Sequence, residues 1–369
     1  MNLAFIIQNY NYQGGGQVTS ILAERFESLG HSVNIIAIKC DKGDLESRPS
    51  RFSKITDINA SGFFEGIIKL RKIFKNSNTD IFISMGGYSN LSAGLAKFFS
   101  RSSNKIIGSE HFAKSVFIGD YAKPIFRLLK PIFQFAYTQL NGLVFVSENL
   151  RQEFLKQNSW HSSRCVTINN PVPLFNLNQK NSTFKKDKDI TFLGVGILEH
   201  RKRFDLLLKS FARVAKPNYK LLIAGTGSLL HDLEDLSKEL NIDKQVNFLG
   251  YVNDIKSLME KSDILILTSN SEAFGMVLAE GLSSGIQIVS TNCFSGPSEI
   301  LGNGRYGYLA EIDNVDSIVS SIKAVIKKPI SSEIIKEGAL RFSSEFIVEK
   351  YLEFILKVKK VEGSLYDTI

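Results

Sequence analysis

Among the 369 residues of this chain, two carboxylates have the clearest chemical potential: Glu272 and Glu280, in the stretch Ser271-Glu272-Ala273-Phe274-Gly275-Met276-Val277-Leu278-Ala279-Glu280-Gly281. A helix starting near Phe274 would place Glu280 two turns in and leave Glu272 just ahead of the N-terminus, a separation on the order of 12 Å at about 1.5 Å per residue. Carboxylates that far apart cannot act on one bond, but they can grip the two ends of an extended ligand. Between them the unbonded N–H groups of Phe274, Gly275 and Met276 would face an anion, which the helix dipole also favours. The competing explanation is one capping Glu and one unrelated surface Glu on an ordinary helix.

Other loops carry compatible chemistry. Gly194-Val195-Gly196-Ile197-Leu198-Glu199-His200-Arg201-Lys202-Arg203 sets a glycine turn after an apolar run and then three adjacent cations, a pattern suited to neutralising a diphosphate. Gly225-Thr226-Gly227-Ser228 closes another apolar run with a bare backbone nest. Gly14-Gly15-Gly16 follows the first apolar run, where Gly15 and Gly16 can present backbone N–H groups at a helix start. The spacing is not Gly-x-Gly-x-x-Gly and no acidic residue sits at a ribose position, which argues against a nicotinamide-dependent dehydrogenase. Asp187-Lys188-Asp189 lies in a lysine-rich stretch ahead of a strand, so it reads as solvated rather than as a metal site. Cys40, Cys165 and Cys293 are far apart with no Cys-x-x-Cys pair, which excludes a disulfide framework, a zinc ribbon and a thioredoxin-like site and suits a reducing cytosol.

The elements that must position these residues follow from periodicity. Residues 4–7, 33–37, 81–84, 105–108 and 143–146 read as buried strands, each followed by helix-like sequence. Residues 191–194, 220–224, 246–249, 264–267 and 287–290 repeat the alternation. Leu229, Leu233, Leu236 and Leu240 mark one helix face in the second half. This predicts an α/β chain of two doubly wound, Rossmann-like domains, residues 1–173 and 190–343, with a polar linker at 174–189 and an interdomain cleft at the carboxyl ends of their strands. Residues 344–369 predict an amphipathic helix and tail, apolar through Val348, Tyr351, Leu352, Ile355 and Val358, able to pack across either domain or back onto the first. At 43% hydrophobic and 22% charged residues, the composition supports two ordinary cores.

Charge is uneven. Residues 1–180 carry 21 Lys and Arg against 12 Asp and Glu, while residues 181–369 carry 24 against 25, so the basic excess belongs to the first half. No run approaches the roughly 18 apolar residues of a membrane span, and the N-terminal apolar run reads as a strand rather than a leader. Phe63, Ile67, Leu70 and Phe74 beside Lys69, Arg71, Lys72 and Lys75, and the Phe-rich stretch 114–137 with its interspersed basic residues, suit either a core or peripheral contact with an anionic membrane surface. The basic half shows no recognised nucleic-acid-binding signature, and no nucleic-acid partner is expected.

Glu272-x7-Glu280 in its context resembles the Glu-x7-Glu signature of glycosyltransferase family 4, the retaining GT-B enzymes. Further pieces agree in order along nearly the whole chain: Gly14 to Gly16, Glu110-His111, Asn170-Pro171-Val172, Arg201-Lys202, Val246-Asn247-Phe248-Leu249-Gly250 and Gly307. Ser295-Gly296-Pro297-Ser298-Glu299-Ile300-Leu301 resembles a branch rich in bacterial N-acetylgalactosaminyl- and galactosyltransferases. The family's frequent Gly-Arg-Leu is here Gly196-Ile197-Leu198, leaving Arg201 beside Lys202 as the substitute cation.

The resemblance implies a cytoplasmic enzyme, peripheral on the inner face of the cell membrane. Its expected reaction moves a hexose or N-acetylhexosamine from a UDP-sugar to a lipid-diphosphate-linked saccharide, in O-antigen or capsule assembly, with no cofactor and no metal. Glu272, His111 and Lys202 are the implied catalytic residues. Gly15, Gly16, Arg201, Lys202, Gly225, Gly250, Tyr251, Phe274, Gly275, Met276 and Glu280 are the implied donor contacts, Glu280 on the ribose and Glu272 on the sugar. A UDP-sugar epimerase or hydrolase of the same fold and a catalytically silent subunit are the alternatives.

Overall fold

Short runs of β-branched and aromatic residues, bounded by Gly, Asn and Asp, form strands because they pack well on a pleated surface. The computed structural model describes residues 1–10, 14–40, 54–111, 124–158, 160–175 and 189–360, the side chains of 124–129 excepted. Two units emerge, Met1–Pro171 with Ser344–Ile369, and Val172–Ser343. The expected linker falls mostly outside the described residues.

In the first unit, β1 (Asn2–Tyr10), β2 (Ser32–Cys40), β3 (Ile55–Asp57), β4 (Ile81–Met85), β5 (Lys105–Glu110), β6 (Gly142–Phe145) and β7 (Cys165–Thr167) form one sheet in the order β3-β2-β1-β4-β5-β6-β7. Every pairing is parallel. In the second, β8 (Ile190–Val195), β9 (Tyr219–Ala224), β10 (Val246–Gly250), β11 (Ile264–Leu267), β12 (Gln287–Thr291) and β13 (Tyr308–Ala310) follow the order β10-β9-β8-β11-β12-β13, again all parallel. Strands β4, β6, β11 and β12 are buried at every position, as strands covered on both faces by helices must be. The three-residue strands β3, β7 and β13 escape a reading by periodicity because they are shorter than two full alternations.

Two expectations need correction, on the helix after Glu272 and on the helix Ser344–Lys360, and one open alternative is resolved, on the helix Phe63–Asn76. The helix after Glu272 spans Met276–Ser283, two residues later than expected, because Gly275 at φ 94° is in a left-handed conformation that cannot continue a helix. Glu280 therefore lies little more than one turn in. On the helix Phe63–Asn76, Ile67, Leu70 and Phe74 are core residues and Phe63 is half-buried; the apolar side chains left in solvent are Phe64 and Ile68. On the helix Ser344–Lys360, Phe354 joins the buried face and Leu352 is only half-buried.

That last helix is part of the first unit. It buries Ile347, Val348, Tyr351, Phe354, Ile355 and Val358. A Cβ added to Gly142, at the start of β6, would come within 2.6 Å of the Phe354 ring, so the strand can approach only as glycine. Lys359 closes the contact with an ion pair to Asp80 at 2.8 Å.

Candidate functional site

Strand order reverses between β1 and β4 and again between β8 and β11, and loops at such switch points are where this topology binds ligands. The loop leaving β8 carries Arg201 and Lys202 on a short 3-10 turn, His200–Lys202, and the loop leaving β11 carries Glu272. The second loop holds the first. The Thr268 hydroxyl lies 3.1 Å and 2.8 Å from the carbonyls of Lys202 and Arg203, and the Asn270 N–H donates to the Arg201 carbonyl at 2.9 Å.

Across this junction Lys202 Nζ donates to Glu272 Oε1 at 2.5 Å. Arg201 Nη1 stands 3.5 Å from Glu272 Oε2 and donates to the Ser271 carbonyl at 2.9 Å. Both partners of the closer pair are mostly buried, the side chains of Lys202 and Glu272 being 12% and 8% exposed, while Arg201 is 45% exposed. The site thus presents a screened Lys–Glu pair with a mobile-length cation beside it. The Lys202 stem runs over Gly196, whose φ of 154° is one that glycine adopts readily. Cys293 packs against the Glu272 backbone; burial, then the Glu272 charge, push its thiol up to about 12, so it fills space and is no nucleophile.

Arg203, the third cation of the run, turns away. Its backbone is left-handed, and its guanidinium pairs with Asp205 at 2.9 Å and with Asp313. Gly196, Gly225 and Gly250 instead stack as bare backbone at the ends of β8, β9 and β10. Gly196 N–H donates to the Ala224 carbonyl at 3.0 Å and Gly225 N–H to the Gly250 carbonyl at 2.8 Å. Tyr251 follows as a largely exposed ring. Gly275 starts the helix Met276–Ser283 with no side-chain cap, and Met276 and Glu280 are half-buried along it. The Phe274 ring is buried at 5.6 Å from Phe342, which leaves its backbone N–H, the group expected to face the anion, as the part that can meet a ligand.

In the first unit, His111 follows β5 with Nε2 at 3.0 Å from the Ser109 hydroxyl, and burial pushes its pKa down to about 4, so it is neutral at pH 7. Glu110 points to the opposite side, accepting from Asn90 Nδ2 at 2.8 Å and from the Tyr137 hydroxyl. Among the described residues its other oxygen is buried without a partner, and burial raises its pKa to about 7. Gly15 and Gly16 open the helix Gly15–Ser28, Gly15 exposed and Gly16 buried; residues 11–13 lie outside the described residues.

Sequence reasoning missed Thr268, and it named Ser295 only within a branch motif, where its hydroxyl donates to the Ala273 carbonyl at 2.8 Å. The available signal was the abrupt polar run Thr268-Ser269-Asn270 after Ile264–Leu267. Among the described residues no group of three or more His, Cys, Asp or Glu is arranged to hold a metal ion.

Two Rossmann-like domains with a phosphate-suited loop set in the second define the GT-B class of glycosyltransferases. The model of the family described as Glycosyltransferase Family 4 matches residues 12–174, and that of Glycosyl transferases group 1 matches residues 176–342. The chain belongs to glycosyltransferase family 4 and is a glycosyltransferase. An uncharacterized glycosyltransferase of Haemophilus influenzae is 28% identical over 95% of this chain and 98% of its own length. A Campylobacter jejuni α-1,4-N-acetyl-D-galactosaminyltransferase, named for an undecaprenol-diphosphate-linked GalNAc saccharide, is 28% identical over 97% of this chain and 99% of its own. Among solved structures, a lipopolysaccharide outer core galactosyltransferase in its apo form superposes with a TM-score of 0.76 at 23% identity, covering 97% of this chain and 99% of that one.

Proposed function

We propose that the chain transfers a hexose or N-acetylhexosamine from a UDP-sugar to a lipid-diphosphate-linked saccharide, with retention of configuration, in assembly of a bacterial surface polysaccharide. The observation that carries this is the Lys202–Glu272 pair across the β8/β11 switch point, beside the uncapped start of the helix Met276–Ser283. Lys202, Arg201 and the N–H groups near Gly275 bind the donor diphosphate and stabilise the charge that grows on it as the glycosidic bond breaks. Gly15 and Gly16 offer backbone N–H groups to an anion at the start of the first unit's helix Gly15–Ser28. Glu280 takes the ribose hydroxyls, Gly225 and Gly250 let the nucleotide approach bare backbone, and Tyr251 borders the base.

Glu272, freed in part from Lys202 when the diphosphate takes that cation, and neutral His111 orient the transferred sugar. The acceptor hydroxyl attacks the anomeric carbon on the face the diphosphate leaves, and its proton passes to a departing phosphate oxygen, so no side chain need serve as general base. Charge neutralisation comes from side chains and helix ends, with no metal required. The lipid-linked acceptor is supported by the name of the Campylobacter jejuni relative and by that of an Escherichia coli lipopolysaccharide 1,6-galactosyltransferase, 31% identical over 58% of this chain and 59% of its own.

The same reading places the first unit on the inner face of the cell membrane. Exposed Phe64, Ile68, Phe98, Phe99, Ile132 and Phe135 lie on three helices, the middle one, Gly87–Ser100, touching both others: the Phe98 and Phe135 rings are 4.7 Å apart, and Arg71 Nε donates to the Phe99 carbonyl at 3.0 Å. Exposed Lys72, Lys75, Arg101 and Lys130 accompany them, which matches an anionic lipid surface. No described helix is long and apolar enough to cross a membrane.

The test is transfer of label from UDP-galactose, UDP-GalNAc, UDP-glucose and UDP-GlcNAc to lipid-diphosphate-linked saccharides, with the product's anomeric configuration read by NMR. A donor-dependent α-linked product supports the proposal. Donor consumption without an acceptor would instead indicate an epimerase or hydrolase, and nucleotide binding without consumption a silent subunit.

A further inference from the structure

Strands β11 and β12 are neighbours, and the loops that leave them run on together within the second unit. Three contacts join them. The buried Thr291 hydroxyl, at the end of β12, donates to the Ser269 carbonyl at 2.7 Å; Phe294 forms a single parallel bridge with Ser271; and the fully buried Ser295 hydroxyl donates to the Ala273 carbonyl at 2.8 Å. The next approach is closer still. A Cβ on Gly296 would lie 1.8 Å from the Phe274 carbonyl oxygen, so that carbonyl is turned onto bare backbone.

The carbonyl of Ala273 and the N–H of Phe274 belong to one planar peptide unit and point in opposite directions, as do the carbonyl of Phe274 and the N–H of Gly275. With both carbonyls turned toward Ser295 and Gly296, both N–H groups are turned away from that corner, as two successive donors ahead of the helix Met276–Ser283. Among the described residues neither N–H has a hydrogen-bond partner, although Phe274 and Gly275 are both buried. Buried backbone donors are rarely left so, and two in succession suit an anion.

The corner is held against its own preference. Ser295 sits at φ 66°, in the left-handed region that a residue with a Cβ avoids, and Gly296 follows at φ 97°. A non-glycine residue stays in that region only where its surroundings hold it, and such positions concentrate at functional sites. Glycine at 295 would make the same turn at lower cost; what glycine lacks is the hydroxyl that reaches Ala273.

We infer that Ser295 and Gly296 are positioning residues: they fix the carbonyl side of the segment 273–275, so that the N–H groups of Phe274 and Gly275 are aimed together at the donor diphosphate. The loop after β12 thereby acts on the donor through the loop after β11. This inference rests on the proposed binding of the diphosphate near Gly275, and the experiment separates the two.

The full chain is titrated by calorimetry with UDP in the presence of EDTA, and its affinity for uridine, which carries the base and ribose without phosphate, is measured by ligand-observed NMR. Ser295→Gly is expected to melt no lower than wild type, because the left-handed turn suits glycine. It is nevertheless expected to bind UDP about fivefold more weakly, the worth of one hydrogen bond, with uridine affinity unchanged. Donor kcat/KM is expected to fall at least as far, since the same N–H groups meet the charge that grows on the diphosphate. Ser295→Ala, which lacks the hydroxyl but keeps the Cβ, is expected to show the same loss of UDP affinity and carries the test if the glycine variant does not fold. Unchanged UDP affinity in the variants overturns the inference, and so does an equal loss of UDP and uridine, which would make Ser295 a purely structural residue. A wild type that binds UDP no more tightly than uridine would overturn the donor reading itself, and the inference with it.

Discussion

Lys202 and Glu272 are 70 positions apart and meet only because two neighbouring parallel strands end side by side. Each was legible as a candidate from its motif, Glu272 from the spacing to Glu280 and Lys202 from the cationic run. Their pairing was not legible, because it depends on strand order, and no local pattern encodes which loops become neighbours. Thr268 was missed for the same reason, since its acceptors are carbonyls from another loop. We expect Lys202→Met to lower kcat/KM by about 100-fold, equivalent to roughly 3 kcal/mol of lost charge stabilisation, measured by steady-state transfer at varied donor. Lys202→Arg should recover part of it; equal loss in both would mean that shape, not charge, is required.

Glu110 sets a second expectation at this scale. It holds a proton up to about pH 7 in the fold, against 4.5 for an ordinary glutamate, because burial outweighs the bonds from Tyr137 and Asn90. Its contribution to stability is therefore full below pH 4.5 and is lost as pH rises toward 7. Glu110→Gln should flatten the pH dependence of denaturant stability across that window. An unchanged slope would show that Glu110 is ionised in the fold.

At the scale of elements, the long buried strands and the alternation with helices were readable because apolar periodicity survives any tertiary arrangement. Boundaries were less so. The helix after Glu272 starts at Met276 because Gly275 takes a left-handed conformation, a choice glycine permits but does not announce. The stack of Gly196, Gly225 and Gly250 was visible only as three separate turns. A Cβ on Gly225 would lie 1.8 Å from the Gly196 carbonyl oxygen at a φ of 147°, so Gly225→Ala must displace one loop. We expect it to weaken nucleotide binding more than tenfold by calorimetry with little change in the first unit. On the C-terminal helix, Phe354→Ala removes a ring packed on Gly142 and should destabilise the first unit by about 3 kcal/mol in denaturant titration. A loss below about 1 kcal/mol would mean that the helix adds little to that core.

For the whole molecule, the basic excess of the first half coincides with the exposed aromatic band, and that conjunction favours a lipid surface over solvent. The sequence reading left the stripe Phe63, Ile67, Leu70 and Phe74 open between a core and a membrane face; Ile67, Leu70 and Phe74 are core, and the exposed Phe64 and Ile68 lie one residue further round, a rotation that periodicity alone cannot resolve. Flotation with vesicles containing anionic lipid should recover the wild type at low salt and lose it in the Phe99→Ser, Phe135→Ser double variant. Equal flotation of both would place membrane contact elsewhere. The central claim, that the loops after β8 and β11 bind a nucleotide diphosphate without metal, is tested most directly by calorimetric titration with UDP in the presence of EDTA, on wild type and Lys202→Met. We expect saturable binding to the wild type, preferred over GDP, ADP and CMP, and at least tenfold weaker binding to the variant. Equal UDP affinity in the two proteins would contradict it.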